Sequence, residues 1–185
     1  GAFRWTPIRR LVCRSAALDT VGGYAFYDAP ITNDAQEAIP ASVRIIGSGA
    51  FGFSHLSGSL TLTNVASMAS SFSSCYLTNL VIDAPALTNL DLEGLNRDYP
   101  GALFTNLVSL TIHAPALKTF TTSFASDQAL KRIDLFLPLV TSYAEGFKFF
   151  GMGGLTTDIS RVLGPQVSVI GGDRAFAAGN WTGCL

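Results

Sequence analysis

Two histidines, three cysteines and a thin scatter of carboxylates are the side chains with which this 185-residue chain could run a reaction. His55 and His113 stand apart: neither has a cysteine nearby or the His-x-x-x-His spacing that puts two imidazoles on one metal ion. Cys13, Cys75 and Cys184 are too few and too widely spaced for a disulfide framework or a zinc site. Cys13 and Cys75 read as small core residues, and Cys184 as a free thiol. A Ser-His-Asp triad assembles from distant positions, but no Gly-x-Ser-x-Gly elbow is present. Gly47-Ser-Gly-Ala-Phe-Gly52 spells the dinucleotide fingerprint, which works only where its turn opens a helix. The residues that follow it, Phe53-Ser-His-Leu-Ser-Gly58, have no helical period. Asp83 and Asp134 fall on one strand face about two strands apart, on the order of 10 Å at the usual strand spacing. That is near the outer separation of an inverting glycosidase pair, and no other residue supports such chemistry. Asn180-Trp-Thr182 is a glycosylation sequon, meaningful only in a eukaryotic secretory setting. The residues compose no catalytic, metal or cofactor-binding site, and the expectation is a protein that is not an enzyme and carries no cofactor.

Aromatic residues carry more weight, because aromatic anchors are enriched at binding hot spots. Trp5, Tyr76, Tyr99 and Trp181 lie in or near turns, and Phe136 falls on an outward strand position. What positions them is a repeat. Leu18-Asp-Thr-Val21-Gly-Gly-Tyr-Ala-Phe26, Val43-Arg-Ile-Ile46-Gly-Ser-Gly-Ala-Phe51 and Val167-Ser-Val-Ile170-Gly-Gly-Asp-Arg-Ala-Phe176 say nearly the same thing. Weaker copies run Val65…Met68…Phe72, Leu87…Leu90…Leu95, Leu117…Phe120…Phe124 and Val140…Tyr143…Phe147. The closing aromatic, once a leucine, recurs after 25, 21, 23, 29, 23 and 29 residues. A period of this size marks a solenoid, an architecture that binds over an extended surface and rarely houses a catalytic pocket.

Each repeat has a second half, Leu-x-x-Leu-x-Leu with slips: Ile8…Leu11…Cys13, Leu56…Leu60…Leu62, Leu77…Leu80…Ile82, Leu107…Leu110…Ile112 and Leu130…Ile133…Leu135. The last two residues of each triplet alternate with period two, as in a half-buried strand. Thr61, Val81, Thr111 and Asp134, then Thr63, Asp83, His113 and Phe136, should therefore point away from the core. Asp83-Ala-Pro-Ala-Leu87 and His113-Ala-Pro-Ala-Leu117 lie thirty residues apart. Pro85, Pro115 and Pro138 remove a ladder donor and end each strand. Gly22, Gly47 and Gly171 are expected to allow a tight bend on the far side, and Phe26, Phe51 and Phe176 to plug the core between coils. No single coil buries both faces of its strand, so coils must stack, with backbone hydrogen bonds from coil to coil. Residues 27–38, with Asp28, Asn33, Asp34 and Glu37, read as a longer polar link. Residues 96–101 read as a loop with a Pro-Gly turn, and residues 149–154 as a glycine-rich stretch.

Composition fits this picture. Hydrophobic residues make up 48% and charged residues only 14%, enough to bury a continuous core. A net charge of −1 offers no electrostatic case for nucleic acid or an anionic membrane. No apolar run approaches the roughly 18–20 residues of a membrane helix. No signal peptide is visible. The chain opens on Gly1-Ala-Phe3, the close of a coil, and finishes on Trp181-Thr-Gly-Cys184-Leu185, the step into another. The ends therefore read as cut from a longer array, or as edges covered by weak end-to-end association of a monomer.

The phrase Ile39-Pro-Ala-Ser-Val43-Arg-Ile-Ile46-Gly-Ser-Gly-Ala-Phe51 resembles the signature of the BspA-type leucine-rich repeat family of bacterial surface proteins. Phe72-Ser-Ser-Cys75-Tyr-Leu77 resembles that family's step between coils. The likeness spans almost the whole chain; the middle coils depart from it by losing Gly-x-x-Ala-Phe, and repeat lengths are uneven. The resemblance implies a secreted or cell-surface bacterial protein and adhesion to host matrix or cell-surface proteins, without catalysis. The expected fold is a single leucine-rich-repeat solenoid over residues 1–185. It has about seven irregular right-handed coils, a parallel β-sheet on one face, and irregular turns or short helical or strand segments on the other. The expected ligand face is one column of that sheet, Arg14, Thr63, Asp83, His113 and Phe136. A protein partner is expected there, with a glycan or a purely structural spacer or stalk role as the alternatives.

Overall fold

Short apolar alternations punctuated by prolines leave little room for helix, and the computed structural model of the protein is built mostly from parallel strands. It describes residues 1–92, 106–120, 122–123, 129–143, 147–148, 154–171, 176 and 180–183. In chain order the first strands are β1 (Thr20–Val21), β2 (Ile45–Ile46), β3 (Ser57–Leu62), β4 (Ser67–Ala69), β5 (Tyr76–Asp83), β6 (Asn89–Asp91) and β7 (Ser109–His113). They continue as β8 (Thr122–Ser123), β9 (Arg132–Phe136), β10 (Ser142–Tyr143), β11 (Phe147–Lys148), β12 (Thr156–Asp158), β13 (Val169–Ile170) and β14 (Asn180–Thr182). One short helix, α1 (Ala35–Ala38), and one 3₁₀ turn (Ile159–Arg161) complete the described elements.

Coil after coil the chain returns to two parallel ladders, β1-β2-β4-β6 and β3-β5-β7-β9, with the parallel pairs β10-β13, β8-β11 and β12-β14 beyond them, so it winds as a β-solenoid of about five turns. In the first ladder Val21, Ile46, Met68 and Leu90 are in register and buried, while Thr20, Ile45, Ser67 and Asn89 lie outside. In the second ladder the inward files are Leu60-Leu80-Leu110-Ile133 and Leu62-Ile82-Ile112-Leu135, all buried. The apolar column between the ladders is therefore continuous, and no coil could form it alone. The prolines end the strands as expected. Pro85, Pro115, Pro138 and Pro165 each take the second place of a turn, closed by bonds such as Leu87 N–H to Ala84 C=O at 3.0 Å and Leu117 N–H to Ala114 C=O at 3.1 Å. That place suits the fixed proline φ.

The closing aromatics do more than plug gaps. Phe3, Phe26, Phe51 and Phe72 form one stack, with centroids 5.2, 5.3 and 5.6 Å apart and ring planes within 9° of parallel. The backbone beside them is itself a ladder: the amides of Phe3, Phe26 and Phe51 donate to the carbonyls of Ala25, Ala50 and Ser71 in the next coil, at 2.7–2.9 Å. Two residues after each phenylalanine, and two before Phe26, Phe51 and Phe72, the chain turns left-handed. Before it stand Tyr24 (φ 55°), Gly49 (63°) and Ser70 (33°); after it stand Trp5 (59°), Asp28 (54°), Phe53 (56°) and Ser74 (59°).

Three expectations need correction. Residues 8–13 form no strand; Ile8 and Leu11 still pack on the core, but Leu11 is held by the Asn33 side chain. Its N–H donates to Asn33 Oδ1, and its carbonyl accepts from Asn33 Nδ2, both at 2.9 Å. Cys13, on the same segment, is consequently half-buried, whereas Cys75 is fully buried. Residues 27–38 are not merely a polar link: Ala29, Ile31, Ala35 and Ala38 are buried, and α1 begins at an Asp34 cap whose carboxylate accepts from the Gln36 N–H. The bends expected at Gly22 and Gly47 are present: the Ala25 N–H donates to Gly22 C=O at 3.2 Å and the Ala50 N–H to Gly47 C=O at 3.1 Å. A Cβ on Gly47 would sit 2.5 Å from the Gly23 nitrogen, so that glycine permits close approach of neighbouring coils, while Gly22 and Gly171 face open space. The chain winds through about five turns where seven coils were expected, and the segment 8–13 forms no strand. Residues 93–105, with Tyr99 and the loop at 96–101, lie outside the described residues, as do Phe124, 149–153 and Cys184.

Candidate functional site

Period-two alternation in β5, β7 and β9 turns every second side chain outward, and the parallel register sets those side chains in three files across the strands. The first is Asn79-Ser109-Arg132, extended to Ser59 of β3; the second is Thr61-Val81-Thr111-Asp134; the third is Asp83-His113-Phe136. All eight residues expected to point away from the core are exposed or half-exposed, and Asp83, His113 and Phe136 are brought side by side.

The third file is joined from end to end. His113 Nδ1 lies 2.8 Å from Asp83 Oδ1. An ionised carboxylate only accepts, so Nδ1 carries the proton of this bond. The other side of the imidazole meets Phe136 edge-on, with centroids 4.8 Å apart and planes at 67°. Phe136 remains 52% exposed, an aromatic face held in place by its neighbour and open to solvent. The first file is a hydrogen-bonded row: Asn79 Nδ2 donates to Ser59 Oγ at 3.0 Å, and Ser109 Oγ donates to Asn79 Oδ1 at 2.8 Å.

Asp134 does not face Asp83 as a catalytic partner would. It stands one file over, beside Thr111, and is bound by Arg161 at 2.7 Å and Arg132 at 3.7 Å. Thr63 is exposed one residue beyond the end of β3. Arg14 does not join the column. It follows the strandless segment 8–13, and α1 stands between that segment and β3, with Cys13 N–H donating to Glu37 C=O and Gln36 Oε1 accepting from Thr61 N–H. Among the described residues no group of three or more His, Cys, Asp or Glu could hold a metal ion, and no helix is long and apolar enough to cross a membrane.

Sequence reasoning missed Asn79, Ser109, Arg132 and Arg161. For Asn79 and Ser109 a signal existed: the thirty-residue match that pairs Asp83 with His113 extends back to them. Arg161 comes from the 3₁₀ turn after β12, whose placement no periodicity encodes. No protein-family model, no curated protein and no solved structure matches the chain.

Proposed function

We propose that this solenoid is an extracellular protein-binding module, a bacterial cell-surface adhesin segment of leucine-rich-repeat type. Its outward face on β5, β7 and β9 would grip a host matrix or cell-surface protein. The observation that carries the reading is the Asp83-His113-Phe136 file: an acid, an imidazole and an exposed aromatic ring already locked together on a ladder. Such a face binds without the entropic cost of ordering loops, and an exposed aromatic beside hydrogen-bonding groups is the composition of a hot spot. The likeness of residues 39–51 and 72–77 to BspA-type repeats supports the same reading. A second reading, a rigid spacer, is favoured by the unbroken phenylalanine stack.

The test is equilibrium binding of the purified chain to immobilised matrix proteins, beside a variant carrying Asp83→Ala, His113→Ala and Phe136→Ala. Saturable binding by the parent and its loss in the variant, at an unchanged unfolding temperature, is the expected result. Binding that survives the triple change removes the face from the account. A folded parent that binds nothing in the panel favours the spacer.

A further inference from the structure

Outside the phenylalanine stack a second aromatic row runs along the same corner, separate from the strand face. The Arg4 guanidinium lies 4.1 Å from the Trp5 ring centroid, 5.0 Å from that of Tyr27 and 5.3 Å from that of Tyr24. Tyr27 meets Tyr24 and Phe53 edge-on, each at 5.4 Å. Trp5 is 65% exposed and Tyr24 is exposed. Trp5, Tyr24 and Phe53 all sit on left-handed backbone, which bulky side chains adopt only at a cost. Strain that presents aromatic faces to solvent is a feature of binding positions.

The charge around this row is lopsided. Residues 1–18 hold Arg4, Arg9, Arg10 and Arg14 and no carboxylate, in a chain whose net charge is −1. Arg10 pairs with Glu37 at 3.4 Å; Arg4, Arg9 and Arg14 have no carboxylate partner among the described residues. The Arg4 guanidinium, held beside these rings, is a planar fork of N–H donors of the kind that fits carboxylate and sulfate oxygens.

We propose that Trp5, Arg4, Tyr24 and Tyr27 form a binding site for an acidic polysaccharide. A sugar ring has an apolar C–H face, which suits the negative face of an aromatic ring. A uronate or sulfate on its rim meets the Arg4 fork. Trp5, Tyr27 and Phe53 come from three successive coils, which stack at about 4.8 Å, close to the length of one sugar unit in an extended glycan. Asp28 lies between Trp5 and Phe53 in the left-handed series and is exposed, so it opposes an anionic ligand and sets a limit on affinity.

The probe is a heparin oligosaccharide, with dextran as the neutral control, titrated into the whole chain and followed by Trp5 fluorescence in a Trp181→Phe background. Elution from heparin resin gives a second readout that needs no change at Trp181. Expected are saturable binding of heparin but not dextran, and affinity reduced about tenfold by Trp5→Ala and by Arg4→Gln, since a stacked cation or ring contributes on that scale. Asp28→Asn should tighten binding and delay elution. All three variants change exposed residues, and circular dichroism should show unaltered melting. No saturable heparin binding, binding indifferent to Trp5→Ala and Arg4→Gln, equal binding of dextran, or weaker binding by Asp28→Asn would each overturn the proposal.

Discussion

Burial raises the Cys75 thiol to about 12, against the opposing effect of its hydrogen bond with Ser54. The neutral thiol is the folded form, with a thiolate fraction on the order of 10⁻⁴ at pH 8. Iodoacetamide at that pH should leave Cys75 unmodified in the native chain and label it once the chain is unfolded, as peptide mass spectrometry would show. The linkage runs toward alkali. A raised value stabilises the fold below the ordinary thiol value of 9.0, and that contribution is lost as pH rises through about 12. Asp158 runs the other way: the Ser160 hydroxyl, then the Ser160 N–H, lower it below the ordinary 3.8. Its contribution is present above 3.8 and lost as pH falls through the lowered folded value, so Asp158→Asn should flatten the acid limb of the unfolding temperature against pH. At the candidate face, the Asp83–His113 pair is half-exposed on both sides, and pairs of that kind contribute about 0.2–1 kcal/mol. Replacing either residue should therefore barely move thermal unfolding, so a loss of binding there can be read as a loss of contact. Asp83, His113 and Phe136 were legible because strand alternation fixes the side and the aligned leucine triplets fix the register. The pairing of Asp134 with Arg161 was not, because it depends on where a turn from another coil comes to rest.

At the scale of the element, the phenylalanine stack and the close approach at Gly47 make separable claims. Phe51 is buried between two rings, and Phe51→Ala should cost about 3–5 kcal/mol. Phe3, 46% exposed and stacked on one ring only, should cost much less. Gly47→Ala drives a methyl into the backbone of Gly23, whereas Gly22→Ala meets open space. Chemical denaturation should show a clear loss for the first and little for the second. The leucine triplets predicted the second ladder well, since each is long enough to display its period. The first ladder was harder to see, because its strands are two or three residues long and alternation needs more than that to declare itself. Helix α1 was hidden by its polar residues. The signal was Asp34 followed three residues on by Glu37, the spacing of a capping box, with Ala35 and Ala38 turned to the core. The left-handed residues flanking each phenylalanine had no signal, because Trp5, Tyr24 and Phe53 stand where glycine is the usual choice.

For the molecule as a whole, stacking explains the fold. Each coil hands its unpaired backbone groups to the next, through two strand ladders and a third set of bonds at the phenylalanine corner. The solenoid was legible because a repeated segment that cannot bury itself must stack; the strandless state of residues 8–13 was not, because that segment reads in sequence like the other triplets. Two outward faces result, and the account assigns binding to the face on β5, β7 and β9. Binding isotherms on one panel of matrix proteins should compare two variants: Asp83→Ala with His113→Ala and Phe136→Ala on that face, and Ile45→Ser with Asn89→Ala on the opposite ladder. The account predicts that only the first loses affinity while both melt like the parent. Loss in the second alone, or full binding by the first, would contradict it.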